Sequence, residues 1–165
     1  MAQYDSSAEI MISIREAQIA DVETLFTIRT SVVENHQSRQ ELADLGVTPE
    51  TVAHMLQNDC RAWIAEFSQE PIAFSMANAT EKTIFAMFVL PAFEGRGAGR
   101  ALMQQAEDWL WSQGYEQIWL LTGNEPQLRA YGFYLHLGWV PVDTQADGQA
   151  KFVKTKSKSA LSPGI

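Results

Sequence analysis

Apolar residues alternate with polar ones in some stretches of this chain and recur every three to four positions in others. Residues 10–17 alternate, which predicts a half-buried strand. Residues 22–32 carry apolar side chains at helical spacing, with Asp21 placed as the expected N-cap. A polar passage to Gly46 follows, in which a helical turn is expected around Glu41-Leu42. A second helix is then expected from Pro49, because Thr48 suits the cap and proline tolerates the first helical position.

The middle of the chain consists of short apolar runs separated by turns. Residues 62–67, 72–79 and 83–90 each have the length and composition of a strand. Their short connections predict an antiparallel meander. A glycine-containing turn then leads into an amphipathic helix, which is expected to end near Gly114.

The last third of the chain returns to strands after each helix. Residues 116–122 form a buried strand that follows a helical crossover, so it should pair in parallel with residues 83–90. A helix over 126–137 and a hairpin of 139–143 with 150–154 complete the series. This order predicts one α/β domain with a mixed sheet.

The turn between the third strand of the meander and its helix carries the sequence EGRGAGR, residues 94–100. Backbone N–H groups at the start of a helix are unpaired, and the positive end of the helix dipole acts on the same anion. Glycines two positions apart also let the backbone approach a ligand. We therefore interpret the turn as a pyrophosphate site.

The glycine turn has three alternative interpretations. A plain tight turn between a strand and a helix would need no ligand. A Rossmann site requires G-x-G-x-x-G and an acidic residue ending the next strand, whereas here the spacing is G-x-G-x-G and the strand ends Leu121-Thr122. A Walker P-loop requires a Gly-Lys-Ser/Thr sequence that does not follow.

Composition limits the classes of partner. The chain has 165 residues and a net charge of −8, so its surface does not favour nucleic acid. The acidity suits a cationic acceptor such as an amine, but only weakly, because many acidic proteins are merely soluble. We expect a disordered leader at 1–9, a single domain at 10–154 and a flexible tail at 155–165. The single Cys60 excludes an internal disulfide, and no apolar run reaches the ~18 residues of a membrane span. A cytoplasmic protein with no membrane partner is expected.

Two motifs resemble those of the GNAT superfamily of N-acetyltransferases. The first is Val89-Leu90-Pro91-Ala92-Phe93-Glu94-Gly95-Arg96-Gly97-Ala98-Gly99, and the second is Phe133-Tyr134-Leu135-His136-Leu137-Gly138-Trp139. The resemblance covers Ile14 to about Lys154. It implies a mixed, mostly antiparallel sheet of about seven strands, splayed between strands 4 and 5 and flanked by about four helices.

The resemblance also implies a reaction. An acetyl group would pass from acetyl-CoA, the acyl donor, to a primary amine of a small molecule or peptide, by direct attack in a ternary complex and without a metal. Cofactor contacts are carried onto Phe88, Val89, Gly95, Arg96, Gly97, Ala98, Gly99, Arg100 and Asn124. Two positions depart from the family: Glu94 stands where Gln or Arg is usual, and Gln127 where many members have Asn.

Tyr134 is the candidate general acid, since a phenol of pKa ~10 can protonate a leaving thiolate near neutral pH. A core tyrosine is the alternative. Oxyanion stabilisation would come from a backbone N–H of the Phe88–Val89 region. Glu34 and His36 lie in the segment that usually lines the acceptor pocket in this family, although a solvated helix end would look the same. No residue is assigned as the base.

Two rival functions share these features. One is a non-enzymatic acyl-CoA-binding or sensor domain, and the other is a nucleotide-binding domain with the same glycine turn. The acceptor amine is not specified by the sequence, and a homodimer is compatible with the family resemblance.

Overall fold

The computed structural model describes residues 12–125 and 127–157. The predicted leader, residues 1–9, lies outside the described residues, as do residues 158–165 of the predicted tail. The domain boundaries at 10 and 154 therefore stay predictions from the sequence.

The described residues form seven strands and five helices. The strands are β1 (Ile12–Glu16), β2 (Cys60–Phe67), β3 (Glu70–Asn78), β4 (Thr83–Val89), β5 (Gln117–Thr122), β6 (Val140–Thr144) and β7 (Ala150–Thr155). The helices are α1 (Val22–Arg29), α2 (Arg39–Asp44), α3 (Pro49–Gln57), α4 (Ala98–Ser112) and α5 (Arg129–His136). Short 3-10 turns at Ile19–Asp21 and Pro91–Phe93 precede α1 and the glycine turn.

All seven strands belong to one sheet with the order β1-β2-β3-β4-β5-β7-β6. The predicted meander of β2, β3 and β4 is confirmed, as is the parallel pairing of β4 with β5. These two strands share a single register pair, Thr83 with Trp119. Beyond it, β4 runs on to Val89 without a β5 partner, which is the splay that the resemblance implied.

The sheet separates two apolar cores. One lies beneath α4 and α5 and includes the fully buried Leu102, Trp139 and Phe152. The other lies beneath α1, α2 and α3 and includes Phe26 and Leu42. The two cores therefore hold α4 and α5 on one face of the sheet and α1, α2 and α3 on the other.

Asp21 is the N-cap residue of α1, as predicted, but within the described residues its side chain makes no capping hydrogen bond. Its carboxylate instead accepts a hydrogen bond from the Gln18 N–H at 2.7 Å and pairs with Arg15 at 2.8 Å. The 3-10 turn already gives Asp21 a helical backbone, with φ −89° and ψ −3°, so its side chain cannot reach the next turn. The Arg15 guanidinium lowers the pKa of Asp21.

Helix boundaries also differ from the sequence expectation. α1 ends at Arg29, well before the end of its predicted range at Val32. The helical turn expected near Glu41 is a helix of six residues, capped by Ser38, whose hydroxyl accepts from the Glu41 N–H at 3.1 Å. In the described part of the chain no helix is long and apolar enough to cross a membrane.

Candidate active site

The glycine turn occupies the end of β4, as the sequence predicts. Gly95 has φ +78° and Gly97 has φ +91°. Side chains are rarely tolerated in this left-handed region, so glycine is required at both positions. The chain therefore reverses sharply at Gly97 and enters α4 directly.

The turn leaves a run of backbone donors without acceptors. Within residues 12–125 and 127–157, the six consecutive N–H groups of Gly95 to Arg100 have no hydrogen-bond acceptor. The first bond of the helix runs from the Ala101 N–H to the Gly97 carbonyl at 3.1 Å. α4 is 15 residues long, so its dipole adds to these donors. The chemistry of this donor set fits a pyrophosphate.

The splay between β4 and β5 provides the second part of the site. The strands are joined at their start by the Thr83 hydroxyl, which donates to the Trp119 carbonyl at 2.7 Å, and by the Trp119 N–H, which donates to the Lys82 carbonyl at 3.1 Å. From there to Val89 the β5 side of β4 has no strand partner among the described residues. An extended group that carries amides could satisfy such an edge.

The charged residues of the turn do not all face the same way. Arg96 packs its guanidinium carbon 5.4 Å from the ring centroids of both Phe67 and Phe93. Arg100 is exposed in the first turn of α4. Glu94 pairs with Arg129 of α5, with 3.6 Å between Oε1 and Nε.

Arg129 is a residue that the sequence reasoning missed. A Cβ built on Gly95 would lie 4.0 Å from its Nη2 atom, so the guanidinium lies beside the turn. The positive charge of Arg129 partly offsets the negative charge of the Glu94 carboxylate beside the turn. The sequence offered one signal for Arg129, its position in the first turn of the helix predicted after β5.

Gly99 has a packing role. A Cβ at this position would lie 3.1 Å from the Phe133 ring and 3.2 Å from the Met87 methyl group. The absence of a side chain therefore lets α5 pack against the start of α4. Of the Phe-Tyr pair, Phe133 contacts the glycine turn.

Tyr134 lies next to Phe133 but points into the apolar core, with its ring centroid 6.4 Å from Trp139 and 6.2 Å from Phe152. Only 7% of the residue is exposed. Among the described residues the Tyr134 hydroxyl makes no hydrogen bond. Every fully buried side-chain oxygen in this part of the chain has a partner, so the Tyr134 hydroxyl is not fully buried and retains solvent contact. Burial raises the pKa of Tyr134, which keeps the phenol protonated.

The other predicted cofactor residues lie around the splayed strands. Val89 pairs with Ala73 of β3. The Phe88 ring packs 5.7 Å from that of Phe74. Asn124, just after β5, donates to the Thr144 hydroxyl at 3.3 Å.

The predicted acceptor residues are exposed. Within the described residues the Glu34 side chain makes no hydrogen bond or ion pair, whereas the His36 Nδ1 atom lies 3.0 Å from the Val32 carbonyl oxygen. Their loop is held instead by Arg29, which donates to the Asn35 carbonyl at 3.1 Å and to the Gln37 side-chain oxygen at 2.7 Å. The structure thus adds Arg29 to this region.

Cys60 is buried in β2, where desolvation and the neighbouring Asp59 raise its pKa to about 11. A thiol with that pKa is a poor nucleophile at neutral pH. In the part of the chain that the structure describes, no group of three or more His, Cys, Asp or Glu side chains could hold a metal ion.

Solved structures with the same fold are numerous. PaiA N-acetyltransferase from Thermoplasma acidophilum, in complex with coenzyme A, has a TM-score of 0.76 and 18% identity over 88% of this chain and 99% of its own. The ribosomal-protein-S18-alanine N-acetyltransferase of Escherichia coli has a TM-score of 0.65 and 17% identity over 87% and 91%. Dodecameric spermidine N-acetyltransferase from Vibrio cholerae has a TM-score of 0.67 and 16% identity over 93% and 98%.

Sequence comparisons give the family. A search of curated proteins gave no match. The family model described as acetyltransferase (GNAT) family matches residues 19–139, which include the glycine turn, Tyr134 and the splayed strands. The chain belongs to the acetyltransferase (GNAT) family.

Proposed function

We propose that the protein is an acyl-CoA-dependent N-acyltransferase that transfers an acetyl group to a primary amine in a ternary complex. One observation carries the proposal. Among the described residues, the six successive N–H groups of Gly95 to Arg100 have no acceptor, and the nearby β5 side of β4 has no strand partner beyond Thr83. A pyrophosphate joined to an amide-bearing arm matches both features.

Acetyl-CoA would supply the acetyl group and a thiolate leaving group. The backbone of Gly95 to Arg100 would bind the pyrophosphate, and the free edge of β4 at Phe88 and Val89 would bind the pantetheine arm. A backbone N–H in this edge would also stabilise negative charge that develops on the acyl oxygen. Asn124, two residues after the end of β5, would be a further contact to the cofactor.

Tyr134 would protonate the departing sulfur. Its hydroxyl has solvent contact, and no hydrogen bond within the described residues competes for its proton. The raised pKa keeps the phenol protonated at neutral pH, which is the state that a proton donor needs. With its pKa at about 11, buried Cys60 is not suited to form an acyl-enzyme, which supports direct attack by the amine.

The acceptor must lose a proton before it attacks. We assign no side chain to this step, because Glu34 and His36 are exposed and neither contacts the glycine turn in the described residues. Solvent water near the acceptor loop would accept the proton. A cytoplasmic location and a homodimer stay predictions from the sequence.

A thiol-release assay tests the proposal. The protein is incubated with acetyl-CoA and a panel of amines, peptides and amino acids, and each acetylated product is confirmed by mass. We expect release for a subset of acceptors, with intersecting double-reciprocal plots. Tight coenzyme A binding without transfer to any acceptor would instead indicate a sensor domain. AMP or NAD binding as tightly as coenzyme A would indicate a nucleotide-binding domain.

A further inference from the structure

Arg29, the last residue of α1, has an unusual charge environment. It is half-buried, yet no ion pair in residues 12–125 and 127–157 includes it. The more exposed Arg39 and Arg61 each have a carboxylate partner, at 2.7 Å from Glu23 and 3.3 Å from Glu16. A partly desolvated charge without a counter-ion is costly, so its retention requires a reason.

Neutral groups fix the Arg29 guanidinium in place. One nitrogen donates to the Asn35 carbonyl at 3.1 Å and another to the Gln37 side-chain oxygen at 2.7 Å. Asn35 has φ +56°, a left-handed conformation that turns the loop back toward Arg29. Two of the five N–H donors are thus used, and the positive charge is not neutralised.

The electrostatics agree with this geometry. Burial lowers the pKa of Arg29, with no opposing contribution from an acidic neighbour. Arg15, by contrast, has its pKa raised by Asp21 and Glu66. Arginine stays charged even so, because its reference pKa is so high.

The guanidinium lies over an aromatic ring of β4. Its Cζ atom is 4.3 Å from the centroid of the Phe88 ring. Phe88 is the penultimate residue of β4, in the part of the strand without a β5 partner. Under the proposed function, this edge holds the end of the acyl donor that the amine must approach.

We infer that Arg29 binds a carboxylate on the acceptor, so that the acceptor is an amino carboxylate rather than a polyamine. This inference rests on the proposed function. The free N–H groups of a guanidinium match the two oxygens of a carboxylate. One positive charge balances one carboxylate, whereas a phosphate carries nearly two negative charges. A polyamine would place further positive charge beside Arg29.

The first test needs no variant. Thiol release is compared for L-amino acids, β-alanine and 4-aminobutyrate, for the corresponding amides, and for spermidine. A charge-assisted pair predicts that at least one acid exceeds its own amide by about 10- to 100-fold in kcat/KM. Equal use of acids and amides, or a preference for spermidine, would overturn the inference and leave the acyltransferase proposal intact.

The second test assigns the effect to Arg29. We expect Arg29→Gln to raise KM for the preferred acid by about 10- to 100-fold, with an unchanged KM for its amide. Arg29→Lys should recover part of the loss. Arg39→Gln is the matched control, since Arg39 also lies over an aromatic ring, 4.7 Å from the Phe26 centroid, but has a carboxylate partner.

A binding measurement separates the two proposals. Thermal shift of the protein saturated with coenzyme A, with and without the same acids, reports acceptor binding without turnover. If the preferred acid stabilises the protein and Arg29→Gln abolishes that stabilisation, the inference is supported even where transfer is slow. If Arg29→Gln reduces the stabilisation by the acid and by the amide equally, the role of Arg29 is structural and the inference is contradicted. Absence of transfer to every acceptor would contradict the proposed function itself.

Discussion

Tyr134 shows how burial sets the chemistry that a side chain can perform. Its pKa is raised by desolvation, so the phenol binds its proton more tightly in the folded state than in the unfolded chain. Folding stability linked to this group is therefore fully present below about pH 10 and is lost as the pH rises further. Through the neutral range the group is a stable proton donor.

Replacement of Tyr134 by Phe tests its role. We expect kcat to fall by about 100-fold or more, the usual contribution of a positioned acid, with an unchanged KM for acetyl-CoA. Stability should change little, because the lost hydroxyl makes no hydrogen bond in the described part of the chain. Tyr131→Phe on the same helix is the control, and steady-state kinetics with thermal melting give both readouts.

The pH profile gives a second test of Tyr134. kcat/KM should rise with pH as the acceptor amine deprotonates, with no descending limb below about pH 10. A descending limb near pH 7 to 8 that Tyr134→Phe removes would show a phenol with a lowered pKa, contrary to the burial that the structure gives it.

Glu94 and Arg129 form the second pair to test at this scale. Their contact of 3.6 Å is exposed, so it adds little stability, but both charges lie beside the glycine turn. Arg129→Gln leaves Glu94 unopposed there and should raise the Kd for coenzyme A by about 3- to 10-fold. Glu94→Gln should lower it slightly.

The double variant completes a cycle measured by calorimetry. We expect the Arg129→Gln penalty to shrink once Glu94 is removed, since part of it comes from repulsion by that carboxylate. Purely additive effects, or tighter binding in Arg129→Gln, would show that the two residues do not act together on the cofactor.

At the scale of elements, one buried carboxylate ties three pieces of the fold together. Glu107 of α4 is only 4% exposed and accepts from the Trp139 indole N–H at 3.1 Å and from Lys154 of β7 at 2.8 Å. Lys154 also donates to the Leu137 carbonyl at 2.9 Å, just after α5. The cluster therefore fixes the helix that carries Tyr134.

Loss of Lys154 should destabilise the fold. Lys154→Met keeps the side-chain stem but leaves the Glu107 carboxylate with the indole as its remaining partner among the described residues. Because Lys154 is partly exposed, we expect a loss of about 2 kcal/mol in the free energy of unfolding, below the range for fully buried pairs. Lys151→Met on the same strand is the control, with urea denaturation as the measurement. Equal effects of the two variants would contradict the role of the cluster.

The same elements show which features of the fold can be predicted from sequence and which cannot. The glycine turn, the start of α4 and the meander were predictable because their signals lie within a few consecutive residues. Arg129 beside Glu94, and Glu107 with Lys154 at a separation of 47 residues, depend on tertiary contacts that no local pattern encodes. Asp21 had the right chemistry for a cap, but the preceding 3-10 turn made it unavailable.

For the whole molecule, the topology was largely predictable and the acceptor was not. Alternating and helical spacing gave the order of strands and helices, and the crossover rule gave the parallel pair. The charge of −8 favoured a cationic acceptor only weakly. Arg29 reverses that expectation locally, because it is a half-buried positive charge with no carboxylate partner among the described residues. This environment depends on how α1, its loop and β4 are brought together, which no local pattern encodes.

The central claim is that the backbone at the end of β4 binds coenzyme A. The most direct measurement is a titration of ¹⁵N-labelled protein with coenzyme A, followed through the backbone amide resonances, with AMP as the control. The account predicts the largest shifts at Gly95 to Arg100, with accompanying shifts at Phe88 and Val89, and weaker effects from AMP. Unchanged resonances at Gly95 to Arg100, with the main shifts elsewhere in the chain, would contradict it.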